Sequence, residues 1–336
     1  MDPAMYFLHT NGQLSGVICC HVDDFLHAGN ECLERIMMSL RKRFVAGKVE
    51  EGNFDYIGFR VMQQSSEILL DQSRYVGNIN TLSLDTKRVQ QKEDILTDEE
   101  QSTYRQIIGQ INWAVQGSRP DMAFELIDLS TKLKQATVGD LCRAVKTVNR
   151  LKDVRSMITF PRLSKNVSDW RIVVFTDASL CNISSGTGST AAFVMWLADS
   201  QGKCCPLAWH TNKIKRVVRS TIAAEALSLQ EGLECGYYYR QMLEDIMKLQ
   251  SNTIPIIAYV DNKSVIDAIH STKLVDDKRL RVDIAAINES LSRNEVKDVR
   301  WCPGKYHLAD CMTKRGASGY NLLEVFHGGQ FSEEFI

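Results

Sequence analysis

Two acidic residues follow directly after apolar segments that have the character of buried strands. Asp177 comes after the apolar run 172–175, and Asp261 comes after the run 256–260. A charged group at the end of a core strand costs several kcal/mol unless it is paired or bound to a metal. Each acid alone is also compatible with being the first residue of a loop. Together, the two positions favour a functional role.

Two further acids lie in or near predicted helices. Glu225 is early in a long helical pattern, on the flank of an apolar stripe formed by Ile222, Ala226, Leu229, Leu233 and Tyr237. An acid is favoured near a helix N-terminus even without a function. Asp310, in HLADCMTK, also fits a simple helix cap. Neither acid is specific when it is considered alone.

The four acids form a more specific pattern together. They lie in FTDAS, RSTIAAEALSL, YVDNKS and HLADCMTK, with spacings of 48, 36 and 49 residues. In this order the motifs resemble those of the RNase H domain of copia-type LTR retrotransposon polyproteins. The resemblance implies an α/β (α+β) fold with an RNase H-like mixed five-stranded sheet. It also implies that the four carboxylates hold two Mg²⁺ ions, with Mn²⁺ as an alternative, because hard oxygen ligands suit these cations.

The resemblance further implies a nuclease that cleaves the RNA strand of an RNA/DNA hybrid. A phosphodiester is already anionic, so attack by water requires cations that neutralise the developing charge. By this comparison Asp177 bridges the two ions, while Glu225 and Asp261 serve the ion at the leaving group. Asp310 serves the ion that activates water. His307, three residues before Asp310, is a candidate proton shuttle because the free imidazole pKa of about 6.5 suits that task.

Basic and polar residues beside these motifs are candidates for nucleic-acid contacts. The run KIKRVVR contains four cations and no acid, namely Lys213, Lys215, Arg216 and Arg219. Such a run is equally compatible with a solvated face. Asn262 and Ser264, next to Asp261, are candidates for hydrogen bonds to a ribose 2′-hydroxyl.

Two tryptophans and a glycine-rich segment require separate interpretations. Trp209 and Trp301 have rings that could stack on sugars or bases, but packing in the core is the favoured interpretation for both. The segment ISSGTGST (183–190) lacks the lysine and the spacing of a phosphate-binding P-loop. It is predicted to form a hairpin turn.

The periodicity of apolar residues divides the chain near 161–170, where proline and polar residues cluster. Strands are predicted after this point at 171–176, 190–197, 206–210, 254–260 and 298–302. Helices are predicted at 221–249, 263–270 and 276–293. This order describes a mixed sheet with helices on its faces. The predicted RNase H domain spans 168–320, and a C-terminal tail spans 321–336.

The first half resembles part of a reverse transcriptase. HVDDF (21–25) resembles the strand, turn and strand that carry the paired aspartates of the palm, here Asp23 and Asp24, although His21 stands where copia-type enzymes usually have Tyr. FDYIGFRV, LLDQSRYVGNI, YRQIIGQINW and SRPDMAFEL resemble the thumb and connection region. The resemblance implies a truncated reverse transcriptase over 1–160, with a palm hairpin, a thumb and a connection-like region.

Polymerisation requires a further aspartate from an earlier palm strand. Only 22 residues precede Asp23, and Asp2 is the sole acid among them. Asp23 and Asp24 are therefore expected to be the remnant of a polymerase metal site, and no polymerase activity is expected from this chain alone. The missing fingers and palm segment of the polyprotein is the expected partner of this region.

Composition limits the remaining function classes. Forty Lys and Arg face 41 Asp and Glu, which gives a net charge of -1, so nucleic acid would contact a local patch and not a basic domain. The sequence has no apolar run of about 18 residues and no signal pattern, which predicts a cytoplasmic or nuclear protein that is neither secreted nor in a membrane. The 10 cysteines contain no CxxC motif, which disfavours zinc and disulfides.

Two functions of different classes stay open at this stage. The first is a retrotransposon-derived RNase H endonuclease. The second is a catalytically silent or domesticated retroelement fragment that binds nucleic acid or a protein. The four acids favour the first function, and the incomplete polymerase half favours the second. A fragment of a longer polyprotein, with Met1 as an internal residue, is a third interpretation.

Overall fold

The computed structural model describes residues 4–45, 47–183, 186, 188–271 and 276–331. The strands of these residues form three sheets, which contain three, four and five strands. None of the helices within the described ranges is long and apolar enough to cross a membrane.

The first sheet is an antiparallel meander followed by a helix. Its elements are β1 (Met5–Thr10), β2 (Gln13–His21), β3 (Asp24–Gly29) and α1 (Glu31–Arg43). A Cβ atom on Gly29 would lie 2.6 Å from Cδ2 of Leu33, so glycine is needed where α1 crosses the sheet. His9 Nε2 lies 2.8 Å from the carbonyl oxygen of Ile246 in the second half of the chain. The strand, turn and strand expected around HVDDF are confirmed.

In the second sheet, a group of helices lies between the third and the fourth strand along the chain. The elements are β4 (Asn53–Tyr56), β5 (Phe59–Gln63), β6 (Glu67–Asp71), α2 (Ser73–Gly77), α3 (Thr86–Gln90), α4 (Asp98–Gly117), α5 (Ala123–Ser130), α6 (Val138–Asp153) and β7 (Met157–Pro161). Strand β7 returns after the helices and pairs antiparallel with β6. Thr97 and Glu100 form a capping box at the start of α4, and a 3-10 turn at Pro120–Met122 separates α4 from α5.

A buried ion pair fixes the turn after α4. Arg119 is 1% exposed and donates two hydrogen bonds of 2.8 Å to the carboxylate of Asp121. Its guanidinium also donates to the carbonyl oxygens of Leu151, at 2.6 Å, and Val154, at 3.1 Å. The side chain thereby holds the turn against the C-terminal end of α6.

The third sheet carries the predicted functional acids. Its elements and the helices around them are β8 (Arg171–Ser179), β9 (Thr190–Ala198), β10 (Cys204–Lys213), α7 (Thr221–Met247), β11 (Ile256–Val260), α8 (Lys263–His270), α9 (Lys278–Ser292), β12 (Asp298–Trp301) and α10 (Tyr320–Gly328). The strand order is β10-β9-β8-β11-β12. Strands β8, β9 and β10 are antiparallel, whereas β8, β11 and β12 are parallel. The predicted mixed five-stranded α/β sheet is confirmed.

Both faces of this sheet are covered. Ile172 and Val174 of β8 point into a core formed with α7, α8 and α9. Val173 and Phe175 point into a second core, which also contains buried residues of α4, α5, α6 and α10. A sheet buried on both faces explains why its central strands are apolar without alternation. The helices of the first half therefore share a core with the second half.

The end of the chain differs from its prediction. Residues 321–336 are predicted to form a tail, but residues 320–328 form α10. Leu322, Val325 and Phe326 are buried, and the ring of Phe326 lies 5.9 Å from that of Trp196 in β9. The apolar residues of this short helix find a partner only in the folded sheet, which local sequence does not reveal.

Replacing Arg119 with alanine is expected to destabilise the fold by about 3 to 5 kcal/mol, because it leaves the carboxylate of Asp121 buried without its partner. Urea denaturation measures the loss. Arg293→Ala is the matched control, because Arg293 is exposed and forms its ion pair with Glu289 on the surface of α9. The control is expected to lose less than about 1 kcal/mol. Equal losses in both variants would contradict the role given to the buried pair.

Candidate active site

The fold brings the predicted acids to one edge of the third sheet. Asp177 lies near the end of β8, and Asp261 directly follows β11. These strands are parallel neighbours, so their carboxyl ends share an edge. Glu225 lies early in α7, the helix that packs across this sheet. Asp310 is the first residue of a short 3-10 helix, Asp310–Met312, and not the residue that precedes it as a cap.

Three of the four acids form a close cluster. One carboxylate oxygen each of Asp177, Glu225 and Asp261 lies within 4.8 Å of the others. The side chain of Asp177 is fully buried, whereas that of Asp261 is partly exposed. Asp310 joins this cluster through a lysine ammonium and not through a direct contact of carboxylates.

That lysine is Lys314, which the sequence interpretation missed. Its Nζ atom pairs with Oδ1 of Asp310, lies 3.4 Å from Oδ1 of Asp177 and lies 3.8 Å from Oδ2 of Asp261. Burial by itself lowers the pKa of Lys314, but the neighbouring carboxylates, above all that of Asp177, hold that pKa above its ordinary value. A signal was present, because Lys314 stands four residues after Asp310 in HLADCMTK.

Two of the carboxyl groups have raised pKa values, although the ammonium of Lys314 lies among them. Burial raises the pKa of Asp177 to about 7, against the opposing effects of Lys314 and of the Thr313 hydroxyl, which donates to Oδ2 of Asp177. Burial raises the pKa of Glu225 to about 9, and the charges of Asp177 and Asp261 add to this effect. Oε2 of Glu225 is buried and has no hydrogen-bond partner. The positive charge of Lys314 is therefore too small to keep all of these carboxyl groups ionised at neutral pH.

These donors fit a divalent cation. All are carboxylate oxygens, which are the ligands that Mg²⁺ and Mn²⁺ prefer. The unpartnered Oε2 of Glu225 is costly to bury unless a cation or a proton compensates it. A buried acidic triad with this donor chemistry is a candidate metal centre.

His307 occupies a different environment from the one a proton shuttle requires. It is 5% exposed, its Nε2 atom lies 3.2 Å from the carbonyl oxygen of Tyr259, and its ring packs edge-on against Phe175. Burial lowers the pKa of His307. A shuttle must exchange its proton with solvent, so this position does not favour the predicted role.

The basic run lies before α7 and faces α9. Lys213 ends β10, and Lys215, Arg216 and Arg219 are exposed in the connection to α7. Arg216 pairs with Asp283 of α9. Arg216 and Arg219 line a cavity of about 220 Å³ together with residues at the start of α9. Acids of α9 and of its N-cap thus neutralise part of the charge of the run, and all four cations are exposed.

The polar residues after Asp261 begin a helix. The side-chain oxygen of Asn262 accepts a hydrogen bond of 3.0 Å from the backbone N–H of Ser264, which caps α8. Ser264 is exposed. Asn262 thus has a structural task, and its amide NH₂ is the group that could serve a ligand.

The two tryptophans have different environments. Trp209 donates a hydrogen bond of 2.8 Å to the carbonyl oxygen of Val115 and packs on Phe326, so its predicted core position is confirmed. Trp301 is 42% exposed, and the core position expected for it is wrong. It is the last residue of β12, which is an edge strand of the sheet.

The glycine-rich segment is only partly described. Residues 184, 185 and 187 lie outside the described residues, so the turn predicted there stays a prediction. The backbone N–H of Ile183 donates to the carbonyl oxygen of Gly188, between the paired strands β8 and β9.

Asp23 and Asp24 lie in the first sheet and not in the acidic cluster. Both are exposed at the turn between β2 and β3, where Asp24 is opposite His21. Within the described ranges, one group of three or more potential metal ligands is present, and it consists of Asp177, Glu225 and Asp261.

Without divalent ions, the stability of the protein is expected to fall as pH rises. Glu225 has an ordinary pKa of 4.5 in the unfolded chain and a pKa of about 9 in the fold. Between these values unfolding releases its proton, so a higher pH favours the unfolded state. Thermal melts in EDTA across this range measure the effect. Glu225→Gln should flatten the dependence, and an unchanged slope in this variant would contradict the raised pKa.

Replacing Lys314 with methionine is expected to lower the melting temperature in EDTA above neutral pH, because the carboxylates lose their nearest cation. The same change should increase the thermal shift that Mg²⁺ produces, since no ammonium then competes for the oxygens. Lys297→Met, at an exposed lysine, is the matched control and should change neither quantity. Equal Mg²⁺ responses in the two variants would contradict the position given to Lys314.

The chain is similar in parts to several known proteins. No protein-family model matches the chain. A Saccharomyces cerevisiae protein described as a transposon Ty5-1 protein is 25% identical over 218 residues, which are 60% of this chain and 67% of that protein. The chain is also similar to the solved structure of LC11-RNase H1 in complex with an RNA/DNA hybrid, at a TM-score of 0.30 and 18% identity over 41% of this chain and 88% of that one. It is similar to a foamy viral protease-reverse transcriptase in complex with an RNA/DNA hybrid, at a TM-score of 0.43 and 11% identity over 90% of this chain and 37% of that one. The order of the motifs and the likeness to the Ty5-1 protein support the assignment of this chain to the C-terminal region of a retrotransposon Pol protein.

Proposed function

We propose that the chain is an RNase H-type endonuclease that cleaves the RNA strand of RNA/DNA hybrids by two-metal hydrolysis, as part of a reverse transcriptase polyprotein. The observation that carries this proposal is the convergence of Asp177, Glu225 and Asp261 within 4.8 Å, although they are far apart in sequence. The unpartnered Oε2 of Glu225 supports it, because a cation would give this atom its missing partner.

The four acids divide into a buried and an accessible pair. In the proposed site, Asp177, Glu225, Asp261 and Asp310 would hold two Mg²⁺ or Mn²⁺ ions. When bound, the two ions would activate water and stabilise the charge on the leaving oxygen. Asp177 and Glu225 are buried, whereas Asp261 and Asp310 are partly exposed and would be the acids that a substrate can reach.

Two hydroxyl groups position the buried acids. Ser228, one turn after Glu225, has a hydroxyl whose single O–H is shared between the carbonyl oxygens of Asp177, at 2.8 Å, and Ala192, at 3.0 Å. This contact fixes α7 against the end of β8 and sets the separation of the two carboxylates. Thr313 donates to Oδ2 of Asp177 and holds the orientation of that carboxylate.

The proposed substrate would meet one group of cationic side chains and one group of neutral polar side chains. The basic run at Lys213, Lys215, Arg216 and Arg219 would contact backbone phosphates, which fits a chain with a local cationic surface and a net charge near zero. Asn262 and Ser264 would contact the ribose 2′-hydroxyl from the start of α8. The proposed nuclease unit spans 168–320, with 1–160 as the reverse transcriptase remnant.

The first half is proposed to lack polymerase activity on its own. Asp23 and Asp24 are exposed on the hairpin between β2 and β3, and the described residues place no third carboxylate beside them. A partner segment with fingers and the rest of the palm would have to supply that carboxylate.

Cleavage of a labelled RNA/DNA hybrid in Mg²⁺ tests the proposed function. Asp261→Asn should lower the cleavage rate by about a hundredfold or more, because the loss of a metal ligand removes several kcal/mol of charge stabilisation in the transition state. Asp267→Asn makes the same chemical change at an exposed acid of α8 and should keep the wild-type rate.

Two outcomes would reject the nuclease. The first is equal cleavage by wild type and Asp261→Asn, which would show that the activity does not use this site. The second is a wild-type protein that binds the hybrid but does not cleave it, which would favour the alternative function as a nucleic-acid binding module.

A further inference from the structure

Trp301 is an exposed aromatic ring held beside the acidic site. Its indole N–H donates a hydrogen bond of 3.0 Å to the backbone carbonyl oxygen of Asp261. Its backbone is opposite Val260 in the parallel pair of β11 and β12. The ring is thus fixed to the residue that carries one of the site carboxylates, while 42% of its surface stays accessible.

A lysine ammonium accompanies this ring. Lys263 is the first residue of α8, and its Nζ atom lies 4.3 Å from the centre of the Trp301 ring. Lys263 is exposed, so both groups are available at the surface. Trp301 and Lys263 are together called the Trp301 platform below. The flexible stem of a lysine lets its ammonium turn from the ring to an anion that arrives there.

The loop after β12 places a second pair of this kind close by. The Nζ atom of Lys305 lies 4.1 Å from the centre of the Tyr306 ring. The adjacent Gly304 is close to the site, because a Cβ atom on it would lie 3.7 Å from Oδ2 of Asp261. The loop that carries this pair therefore passes next to Asp261, although the Tyr306 ring packs against the core and, of these two rings, only that of Trp301 is exposed at the site.

The platform has the chemistry that recognises a nucleotide. An aromatic ring stacks on a base of any sequence, because every base has a π-face, and an ammonium neutralises the adjoining phosphate. In a duplex, the neighbouring base pairs cover the faces of each base. The ring can therefore stack only on a nucleotide that is unpaired or that ends the duplex.

We propose that the Trp301 platform binds an unpaired nucleotide next to the hybrid, with the base stacked on Trp301 and its phosphate at Lys263. The preferred substrate would then be a hybrid that continues into a single strand, and not a uniform duplex. This inference rests on the proposed function, because the hybrid at the carboxylates brings the unpaired nucleotide to the platform.

Binding of fluorescently labelled hybrids in EDTA tests this inference without cleavage. A blunt hybrid is compared with hybrids that carry a short single-stranded overhang at each end of each strand in turn. The wild-type protein should bind at least one overhang hybrid roughly 5- to 100-fold more tightly than the blunt hybrid. Trp301→Ala should abolish this gain, and Lys263→Ala should reduce it.

Two further variants separate stacking from general damage. Trp301→Phe keeps an aromatic ring and should retain part of the gain, although it loses the hydrogen bond to Asp261. Trp113→Ala removes a ring of similar exposure from α4 and should retain the whole gain. Quenching of tryptophan fluorescence by the overhang hybrid should also be smaller in Trp301→Phe than in wild type.

The outcomes distinguish this inference from the proposed nuclease. If wild type binds and cleaves the blunt hybrid but gains nothing from any overhang, the platform is wrong and the nuclease stands. If Trp301→Ala weakens blunt and overhang hybrids equally, the ring is a general contact and the platform is again wrong. If wild type binds neither hybrid, both the platform and the nuclease are rejected.

Discussion

The repulsion between buried carboxylates is the constraint on which the rest of this structure depends. Two like charges about 4 Å apart repel by about 4 kcal/mol at an effective dielectric constant of about 20. The acidic cluster holds three carboxyl groups within 4.8 Å, and each pair would repel in this way if all three were ionised. The elements that carry them must therefore be held together by other contacts. The parallel pairing of β8 and β11 and the hydrogen bonds of Ser228 between α7 and the sheet provide this restraint.

The two hydrophobic cores on either side of the sheet also hold the strands that carry the acids in place. Successive residues of β8 alternate between these cores, so the strand that carries Asp177 is held from both faces. The helices of the first half and α10 supply one of these covers, and Trp209 links the sheet to α4 through its hydrogen bond to Val115. The region that resembles a reverse transcriptase connection thus contributes directly to the rigidity of the acidic site.

Much of this arrangement could be predicted from sequence because the signals were local. The strands around Asp177 and Asp261 are continuous apolar runs, and the capping box at Thr97 is a pattern of four residues. The pairing of β7 with β6 could not be predicted, because α2 to α6 lie between the two strands and no local pattern records their contact. The exposure of Trp301 was missed for a related reason, since an apolar residue in a strand looks the same in the centre of a sheet and at its edge.

Lys314 shows why membership of the site is easier to predict than its charge balance. Its ammonium contacts three carboxylates, yet Asp177 and Glu225 keep pKa values of about 7 and about 9, so one cation does not compensate the cluster. In the proposed function, two divalent ions would carry four positive charges and balance the four acids. With the ammonium of Lys314 included, the net charge of the site would then be one positive charge. This charge matches the single negative charge of a phosphodiester. Without divalent ions, Lys314 reduces the repulsion among the carboxylates. With the ions bound, its positive charge would favour binding of the anionic substrate.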